Sequence, residues 1–418
     1  MTVTAIDRTE LVDWYRRNRR RSARLFNLIL PEAYYDRPIP LRHPFVFYDG
    51  HLPAFSFNTL CARALQEPGI DERLQRLFER GIDPGSLDAA KAHDREDWPS
   101  AQRVAEFAAR CDERVEAALA HADIDRSGVP MLERGQAAFT ILEHEMMHHE
   151  TLLYIVHQLD ASKKRPMLSE HRDPDLPEQT SRAVAAGTAT LGVDARAVPF
   201  AWDNEMPEYA VHVAAFDIDA YPVTNARWLE FVEDGGPRPP FWIERNGEWL
   251  LRALFEDIAL PKSWPVYVSH AQATAYARWA GKRLPTEAEF HRAAFGSPSG
   301  EERAFPWGDA TPEPKHGNFD FSRYDPEPVD AHPAGASAWG VHDLIGNGWE
   351  WTATAFAPFP GFAPMASYPQ YSADFFDGNH YVMKGASPVT AREFVRRSFR
   401  NWFYGDYPYM YAKFRCAG

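Results

Sequence analysis

The sequence has few cysteines, no long apolar run and no excess of positive charge. Its 418 residues include three cysteines, Cys61, Cys111 and Cys416, whose odd number and wide spacing do not make a disulfide framework. No apolar run reaches the roughly 18 residues of a membrane-spanning helix. The N-terminus also lacks the apolar core of a signal peptide. We therefore expect a cytoplasmic protein that does not enter a membrane.

Acidic residues outnumber basic ones, 59 against 45, and the formal net charge is −14. Binding to a nucleic-acid backbone needs a basic surface. The arginine-rich stretch at 16–24 is the exception, but its apolar neighbours have helical spacing, so we interpret it as the solvated face of a helix. We expect no nucleic-acid partner.

The first part of the chain has the periodicity of helices. Apolar residues recur at three- and four-residue spacing in the segments 9–30, 54–80, 99–122 and 133–160. Four such segments predict an up-down four-helix bundle, with connections at the Pro-rich stretch 38–44 and the polar stretch 83–98. This domain is predicted to cover residues 1–165.

The character of the sequence changes further along. Residues 166–186 are polar and contain several prolines, which indicates a linker. From residue 187 to 418, Gly, Pro and aromatic residues are dense, and helical spacing persists only at 224–234 and 270–294. We predict a second domain of short strands and long loops, and hence a two-domain α+β protein.

A pair of histidines in the last predicted helix points to metal chemistry. His144 and His148 are four residues apart, so they lie on one face of a helix, one turn apart. Together with Glu145 they fit the H-E-x-x-H pattern of a zinc peptidase, in which Glu145 would be the general base. The third ligand of the metzincins is missing, because Thr151 and Tyr154 stand where that extension needs Gly and His.

A different interpretation takes the third ligand from upstream. His51 is the only polar side chain in the run Gly-His-Leu-Pro-Ala-Phe at 50–55. A single histidine there would by itself be ordinary core, but the pair in the helix favours a three-histidine site. Three neutral imidazoles leave coordination positions open, which suits iron with dioxygen and substrate bound together. Met147 lies on the flank of the ligand face, where it either contacts substrate or packs in the core.

Three motifs in the second domain resemble the formylglycine-generating-enzyme/sulfatase-modifying-factor fold, a C-type-lectin-like architecture. They are Tyr221-Pro-Val-Thr-Asn225, Gly281-Lys-Arg-Leu-Pro-Thr-Glu-Ala-Glu289 and Gly346-Asn-Gly-Trp-Glu-Trp-Thr352. Formylglycine generation itself is not expected, because that chemistry uses a pair of thiols and this domain has only Cys416. The first domain resembles a DinB-like bundle. Its Gly50-His51 and His144-x-x-x-His148-x-Glu150 resemble the iron motif of the sulfoxide synthases of ergothioneine and ovothiol biosynthesis.

That resemblance implies a cofactor, a substrate and a set of site residues. His51, His144 and His148 would hold Fe(II), and dioxygen would be a co-substrate. Tyr368-Pro-Gln-Tyr371 resembles the family's Tyr-x-x-Tyr, whose first tyrosine donates a proton. Asn401-Trp402 resembles the part that holds hercynine, the trimethylated betaine of histidine. Trp is the strongest aromatic partner of a quaternary ammonium, and an Asn amide can bond a carboxylate or an imidazole nitrogen.

Two departures from the family concern the donor of sulfur or selenium. In the branch that uses gamma-glutamylcysteine an acidic residue follows Asn-Trp and a Gln precedes the second helix histidine, whereas here these positions hold Phe403 and Met147. An apolar residue at 403 cannot receive an α-ammonium group. We therefore expect the related selenoneine synthase activity, which forms a C–Se bond at C2 of the hercynine imidazole from a selenosugar. The alternatives are ergothioneine sulfoxide synthesis from cysteine or gamma-glutamylcysteine, the zinc peptidase above, and a lectin-like module that only binds.

Overall fold

The computed structural model describes residues 6–79, 98–167 and 170–418, and the chain divides into two compact units. Unit 1 contains Met1–Met167 together with the segment Met365–Pro369, and unit 2 contains Leu168–Pro364 and Gln370–Gly418. A short piece of the C-terminal half of the sequence therefore belongs to the helical unit. Among the described residues, no helix is long and apolar enough to cross a bilayer.

Unit 1 is built from helices. Its α-helices are α1 (Arg8–Phe26), α2 (Phe45–Ser56), α3 (Glu72–Phe78), α4 (Ala101–His121) and α5 (Gln136–His157). Helix α2 continues without a break into a π-helix, Phe57–Ala64. Asp7 caps α1 by accepting hydrogen bonds from the backbone N–H groups of Thr9 and Glu10, and Ser100 caps α4 by accepting one from the N–H of Arg103.

Three of the four predicted helical segments agree with the structure within a few residues, and the segment 54–80 does not. The helix there begins earlier, at Phe45, and the chain leaves it after Ala64 to form the separate short helix α3. Helix α2 is apolar and buried on nearly all sides, so it has no amphipathic period to detect. The predicted connection 83–98 lies almost entirely outside the described residues.

Unit 2 combines small sheets with short helices. Its helices are α6 (Asn225–Glu233), α7 (His270–Trp279), α8 (Glu287–Phe295) and α9 (Gln370–Ala373). Its strands are β1 (Ser181–Val184), β2 (Gly187–Leu191), β3 (Tyr209–Val213), β4 (Phe216–Asp219), β5 (Trp242–Arg245), β6 (Glu248–Arg252), β7 (Asp257–Ala259), β8 (Gly348–Ala355), β9 (His380–Ala386), β10 (Asn401–Tyr404) and β11 (Ala412–Lys413). The largest sheet has the strand order β10-β9-β8-β11. Strand β11 is parallel to β8, and the other pairs in this sheet are antiparallel.

Two features of unit 2 differ from the sequence prediction. The helical stretch predicted at 270–294 is two helices, because Gly281 adopts a left-handed conformation (φ +69°) at the end of the first one. Much of the predicted linker 166–186 also packs within unit 2. Asp173 accepts hydrogen bonds from the backbone of Lys262 and Ser263, and β1 pairs with β4.

The core of unit 2 contains buried ion pairs close to the large sheet. Arg415 is fully buried and pairs with Glu350 of β8, while Lys413 of β11 pairs with Asp343 at 2.9 Å. Buried charges are tolerated when each is paired and its remaining donors are used. Here Arg415 also donates to the backbone carbonyls of Asp219, Ala220 and His342, so its guanidinium is well satisfied.

Candidate metal centre and aromatic site

Three buried histidines come together in unit 1. One ligating atom from each of His51, His144 and His148 lies within 4.8 Å of the others. The Nε2 atoms of His144 and His148 are 3.0 Å apart, as the four-residue spacing on α5 predicts. Helix α2 contributes His51, whose ring centroid is 5.2 Å from that of His144 and 4.9 Å from that of His148. The three residues predicted as metal ligands are therefore neighbours.

The orientation of His51 is fixed by a hydrogen bond to Phe78, which the glycine before it makes possible. The Nδ1 atom of His51 is 2.7 Å from the carbonyl oxygen of Phe78, so Nδ1 carries the proton and donates. This leaves Nε2, which is buried and has no hydrogen-bond partner among the described residues. Helix α2 can approach Phe78 this closely only because residue 50 is glycine, since a Cβ at Gly50 would lie 2.3 Å from the Phe78 ring. Packing against Phe78 thus explains why a glycine precedes His51.

Burial keeps the three imidazoles neutral. It lowers the pKa of His51 to about 4. Burial, followed by the neighbouring histidines, lowers the pKa of His144 well below its ordinary value, and burial lowers that of His148 in the same way. A neutral imidazole offers a lone pair to a metal without first losing a proton. Three neutral nitrogen donors, one of them the unpartnered buried Nε2 of His51, fit a divalent transition metal.

Two polar residues of α5 next to the cluster, Glu145 and His149, are turned toward α1 instead. Glu145 accepts hydrogen bonds from Arg19 at 2.9 Å and from Ser22 at 2.6 Å, so its carboxylate lies against α1. His149 makes a 2.8 Å contact with the same Ser22 hydroxyl. Glu150 is bonded to the hydroxyl of Tyr154. In a zinc peptidase the Glu145 carboxylate would have to activate a water at the metal, and here it is held by α1 instead.

Two aromatic rings lie next to the cluster. Phe55, one turn after His51 on α2, stacks on His144 with centroids 3.4 Å apart and ring planes at 10°. Tyr368, in the segment that joins unit 1 from the C-terminal half, lies 5.4 Å from Phe55 and 6.1 Å from His144. Of the residues predicted to act on substrate, Tyr368 is therefore beside the histidines. Met147 is half-buried on α5.

Unit 2 contains a separate cluster of aromatic rings around Trp402. Phe356 stacks on the indole in parallel, 4.3 Å away and at 4°. Tyr371 and Phe375 stand at 78° and 50° to it, with centroids 5.1 and 5.7 Å away. Tyr371 is itself stacked on the buried Trp202 at 3.9 Å. Phe356 thus covers one face of Trp402, and Tyr371 and Phe375 lie against it at steep angles. Aromatic faces grouped in this way are the preferred partners of a cation, and we call this group the cage.

A buried arginine, Arg400, lies next to Phe356 of this cage. Arg400 forms two hydrogen bonds to the carboxylate of Glu287, at 2.8 and 3.0 Å, and donates to the carbonyls of Asn204 and Ala357. Its guanidinium lies 5.0 Å from the ring of Phe356. The Arg400–Glu287 ion pair is buried and bidentate, so it holds the guanidinium in one place beside the Phe356 ring.

The other predicted residues on β10 do not belong to the cage. Successive side chains of a strand point to opposite faces of the sheet, so Asn401 and Phe403 face away from Trp402 and Tyr404. The ring contacts agree, because Phe403 packs on Tyr407 at 5.0 Å, whereas Tyr404 packs on His380 on the Trp402 side. The Oδ1 atom of Asn401 accepts the backbone N–H of Trp402 at 2.8 Å.

Several residues of these clusters were not predicted from the sequence. They are Phe55 beside the histidines, and Phe356, Phe375 and Trp202 around the cage. A further missed pair is His380 with Asp377, bonded at 2.9 Å, where the ring of His380 lies 5.2 Å from Phe375. Only Phe55 had a sequence signal, since it lies four residues after His51 on the same helix. The others are distant in sequence and meet only through folding.

Comparison with known proteins supports the division into two domains. Residues 15–152 match the model of the DinB superfamily, and residues 168–418 match that of the sulfatase-modifying factor enzyme 1-like domain. The predicted fold class, α+β with a DinB-like helical domain followed by a sulfatase-modifying-factor domain, is confirmed.

Three kinds of curated relative are similar to this chain: hercynine oxygenases, ergothioneine biosynthesis proteins and formylglycine-generating enzymes. A hercynine oxygenase of Mycolicibacterium smegmatis is 39% identical over 299 residues, which cover 64% of this chain and 67% of the relative. Ergothioneine biosynthesis protein 1 of Schizosaccharomyces pombe is 29% identical over 422 residues, 91% of this chain and 52% of the relative. A formylglycine-generating enzyme of Bos taurus is 30% identical over 215 residues, 40% of this chain and 56% of the relative.

The matched regions thus cover about half to two thirds of these relatives. Both halves of this chain are nevertheless accounted for, the helical part by one family model and the larger part by the other. The chain belongs to the sulfatase-modifying factor enzyme 1-like family, and within it to the ergothioneine/ovothiol type, in which that domain follows a DinB-superfamily bundle.

Proposed function

We propose that this protein is an oxygen-dependent, non-heme iron(II) enzyme that joins selenium or sulfur to C2 of the hercynine imidazole. The observation that carries the proposal is the group of three neutral, buried imidazoles with ligating atoms within 4.8 Å of one another. Iron bound there would supply the redox chemistry with dioxygen. We infer the substrate from the names of the relatives, above all hercynine oxygenase.

The residues of unit 2 suit the quaternary ammonium of hercynine. Such a group cannot donate hydrogen bonds, so an aromatic cage is its best partner. Trp402 forms the floor, with Tyr371 and Phe375 as walls. Asn401, on the other face of β10, holds the backbone at Trp402 rather than the ligand directly. In this proposal Trp402 binds and orients hercynine.

Tyr368 is the proposed proton donor. Its ring centroid lies 6.1 Å from that of His144, a candidate metal ligand in the same unit. A phenol with an ordinary pKa near 10 keeps its proton at neutral pH, so its Oη can donate a hydrogen bond or a proton to a reacting group. Phe55 stacks on His144, and its ring centroid lies 5.4 Å from that of Tyr368.

A selenosugar is the donor that we favour, with cysteine and gamma-glutamylcysteine as the alternatives. The argument is the chemistry at position 403, where a half-buried aromatic ring packs on Tyr407. An α-ammonium group would find no carboxylate in this ring pair, whereas the apolar face of a sugar can stack on it. Selenoneine synthesis is therefore the specific activity that we propose.

The test is a donor panel with anaerobic, iron-loaded protein and hercynine. Selenosugar, thiosugar, cysteine and gamma-glutamylcysteine are offered separately, air is admitted, and products are identified by mass spectrometry. We expect iron-dependent and oxygen-dependent product, with the selenosugar preferred. Turnover with cysteine or gamma-glutamylcysteine alone would assign the chain to sulfoxide synthesis. Retention of zinc, with no oxygen consumption, would reject the proposal.

A matched pair of variants tests the ligands. His144→Asn removes a member of the cluster, and His149→Asn removes an equally buried histidine of the same helix that contacts Ser22 instead. We expect the first to lose iron and turnover and the second to keep iron. Equal iron loss in both would mean that general damage to α5, and not ligation, is being measured.

A further inference from the structure

One face of α5 carries more than the two histidines. Gln136, Thr140, His144 and His148 follow each other at intervals of four residues, so they form one row along the helix. The second pair consists of the candidate ligands. The first pair, Gln136 and Thr140, is polar, and Thr140 is fully buried. A buried hydroxyl in a helix that packs on all sides needs a partner.

Both residues are bonded to Ser367. The backbone N–H of Ser367 donates to Oε1 of Gln136 at 3.0 Å. The hydroxyls of Ser367 and Thr140 are 2.7 Å apart, and both side chains are completely buried. The next residue is Tyr368, which lies beside His144. The row on α5 therefore meets the segment Met365–Pro369 in register, with Ser367 against the first two positions and Tyr368 against the third.

We propose that Thr140 and Gln136 are positioning residues that fix Tyr368 relative to the candidate metal centre. This inference rests on the proposed role of Tyr368 as proton donor. The segment is short, and Ser367, the residue directly before Tyr368, is bonded to α5 through both its backbone and its side chain. These two hydrogen bonds fix the register of Tyr368. Because a displacement of about 1 Å can cost a reaction about 100-fold, such register matters for proton delivery.

The contacts separate this role from a purely structural one. A structural pair would stabilise unit 1 and leave the chemistry alone, whereas a positioning pair acts only through Tyr368. If the pair positions Tyr368, removing the pair should change turnover when the Tyr368 hydroxyl is present. The same removal should have no effect when that hydroxyl is absent. A double-mutant cycle measures this difference.

The experiment uses the iron-loaded full chain with hercynine and the preferred donor. Thr140→Val keeps the shape of the side chain and removes its hydroxyl, Ser367→Ala removes the partner, and Tyr368→Phe removes the phenol hydroxyl. We expect Thr140→Val and Ser367→Ala each to lower kcat about 10- to 100-fold with little change in KM or iron content. More of the consumed oxygen should appear as oxidised donor rather than as the C–Se or C–S product. Thr140→Ser should restore the wild-type product ratio.

Two further variants complete the cycle. In the Tyr368→Phe background, Thr140→Val should cause no additional loss. Thr151→Val is the matched control, because the hydroxyl of Thr151, on the same helix, donates to the carbonyl of Met147. It should behave as the wild type.

The outcomes separate the two hypotheses. Additive losses in the Tyr368→Phe background, or wild-type turnover and product ratio in both Thr140→Val and Ser367→Ala, would overturn the positioning role. If Tyr368→Phe alone is without effect, the proposed proton donor fails, and the positioning role fails with it. If Tyr368→Phe is impaired while Thr140→Val is not, only the positioning role fails. Should Thr140→Val not fold, Ser367→Ala and its cycle with Tyr368→Phe give the same decision.

Discussion

Replacing Gly50 by alanine should weaken metal binding without touching a ligand. The new Cβ would lie 2.3 Å from the ring of Phe78, and ordinary contact begins at 3.4 Å, so the two groups must separate by 1.1 Å (3.4 − 2.3). The Phe78 ring is fully buried, so we expect its backbone to be displaced with it. The carbonyl of Phe78 holds Nδ1 of His51 at 2.7 Å, and a backbone shift of this size breaks that hydrogen bond. His51 then loses the contact that orients Nε2 toward the other two imidazoles.

Two opposing terms act on stability. Overpacking of a close-packed core costs about 1–3 kcal/mol. Alanine is better than glycine inside a helix by about 1 kcal/mol, which offsets part of this cost. We therefore expect a loss of about 0–2 kcal/mol in the free energy of unfolding, so the variant should still fold. Loss of an outer hydrogen bond to a ligand typically lowers metal affinity about 10- to 100-fold.

The assay is an anaerobic titration of metal-free protein with iron(II) against a competing chelator, with circular dichroism as the control for folding. The double variant Gly50→Ala with Phe78→Leu supplies a matched comparison, because it removes the ring and keeps the backbone carbonyl. It should recover most of the affinity. Wild-type iron affinity in Gly50→Ala would refute the steric explanation of the Gly50-His51 pair, and so would a loss that the second substitution does not relieve.

Three more predictions follow from the described contacts. Trp402→Ala should weaken hercynine binding by about 1–2 kcal/mol and histidine binding much less, since only the trimethylated ammonium depends on the cage; calorimetry with both ligands checks this, and equal losses would reject the cage. As pH falls from the ordinary value of 6.5, the unfolded chain gains a proton on His51 while the folded chain does so only near the lowered pKa of about 4. Metal-free protein should therefore lose about 3 kcal/mol of stability across this range, and His51→Gln should flatten the slope in urea denaturation followed by circular dichroism. Phe403→Asp should lower turnover with a sugar donor by placing a charge against Tyr407 and should favour donors that carry an α-ammonium group; an unchanged donor preference would remove Phe403 from donor selection.

Local spacing was enough to predict the candidate ligands of α5. A four-residue interval puts His144 and His148 on one helix face in any fold, and the observed Nε2 separation of 3.0 Å follows from this geometry. The helices at 8–26, 101–121 and 136–157 were predictable for the same reason, since their apolar residues have a helical period. The motifs of the second domain are continuous strings of residues, so the family of that domain could also be identified from the sequence.

Other features depended on contacts that no local pattern encodes. Helix α2 has no period because nearly all of it is buried, so its start at Phe45 was missed even though His51 was identified. The role of Gly50 appeared only when Phe78, far along the chain, was found beside it. Strand pairing decided that Trp402 and Phe403, adjacent in sequence, lie on opposite faces of a sheet.

The sequence by itself therefore determined the residue types, their helical spacing and the family, because these depend on neighbours a few positions apart. Only the tertiary structure decided which distant residues meet them. It brought Phe356 and Phe375 to Trp402, and it placed Tyr368, more than two hundred residues away, beside His144. The physical reason is that a buried side chain packs against residues from any part of the folded chain. The periodicity of one segment indicates only which of its own residues share a face.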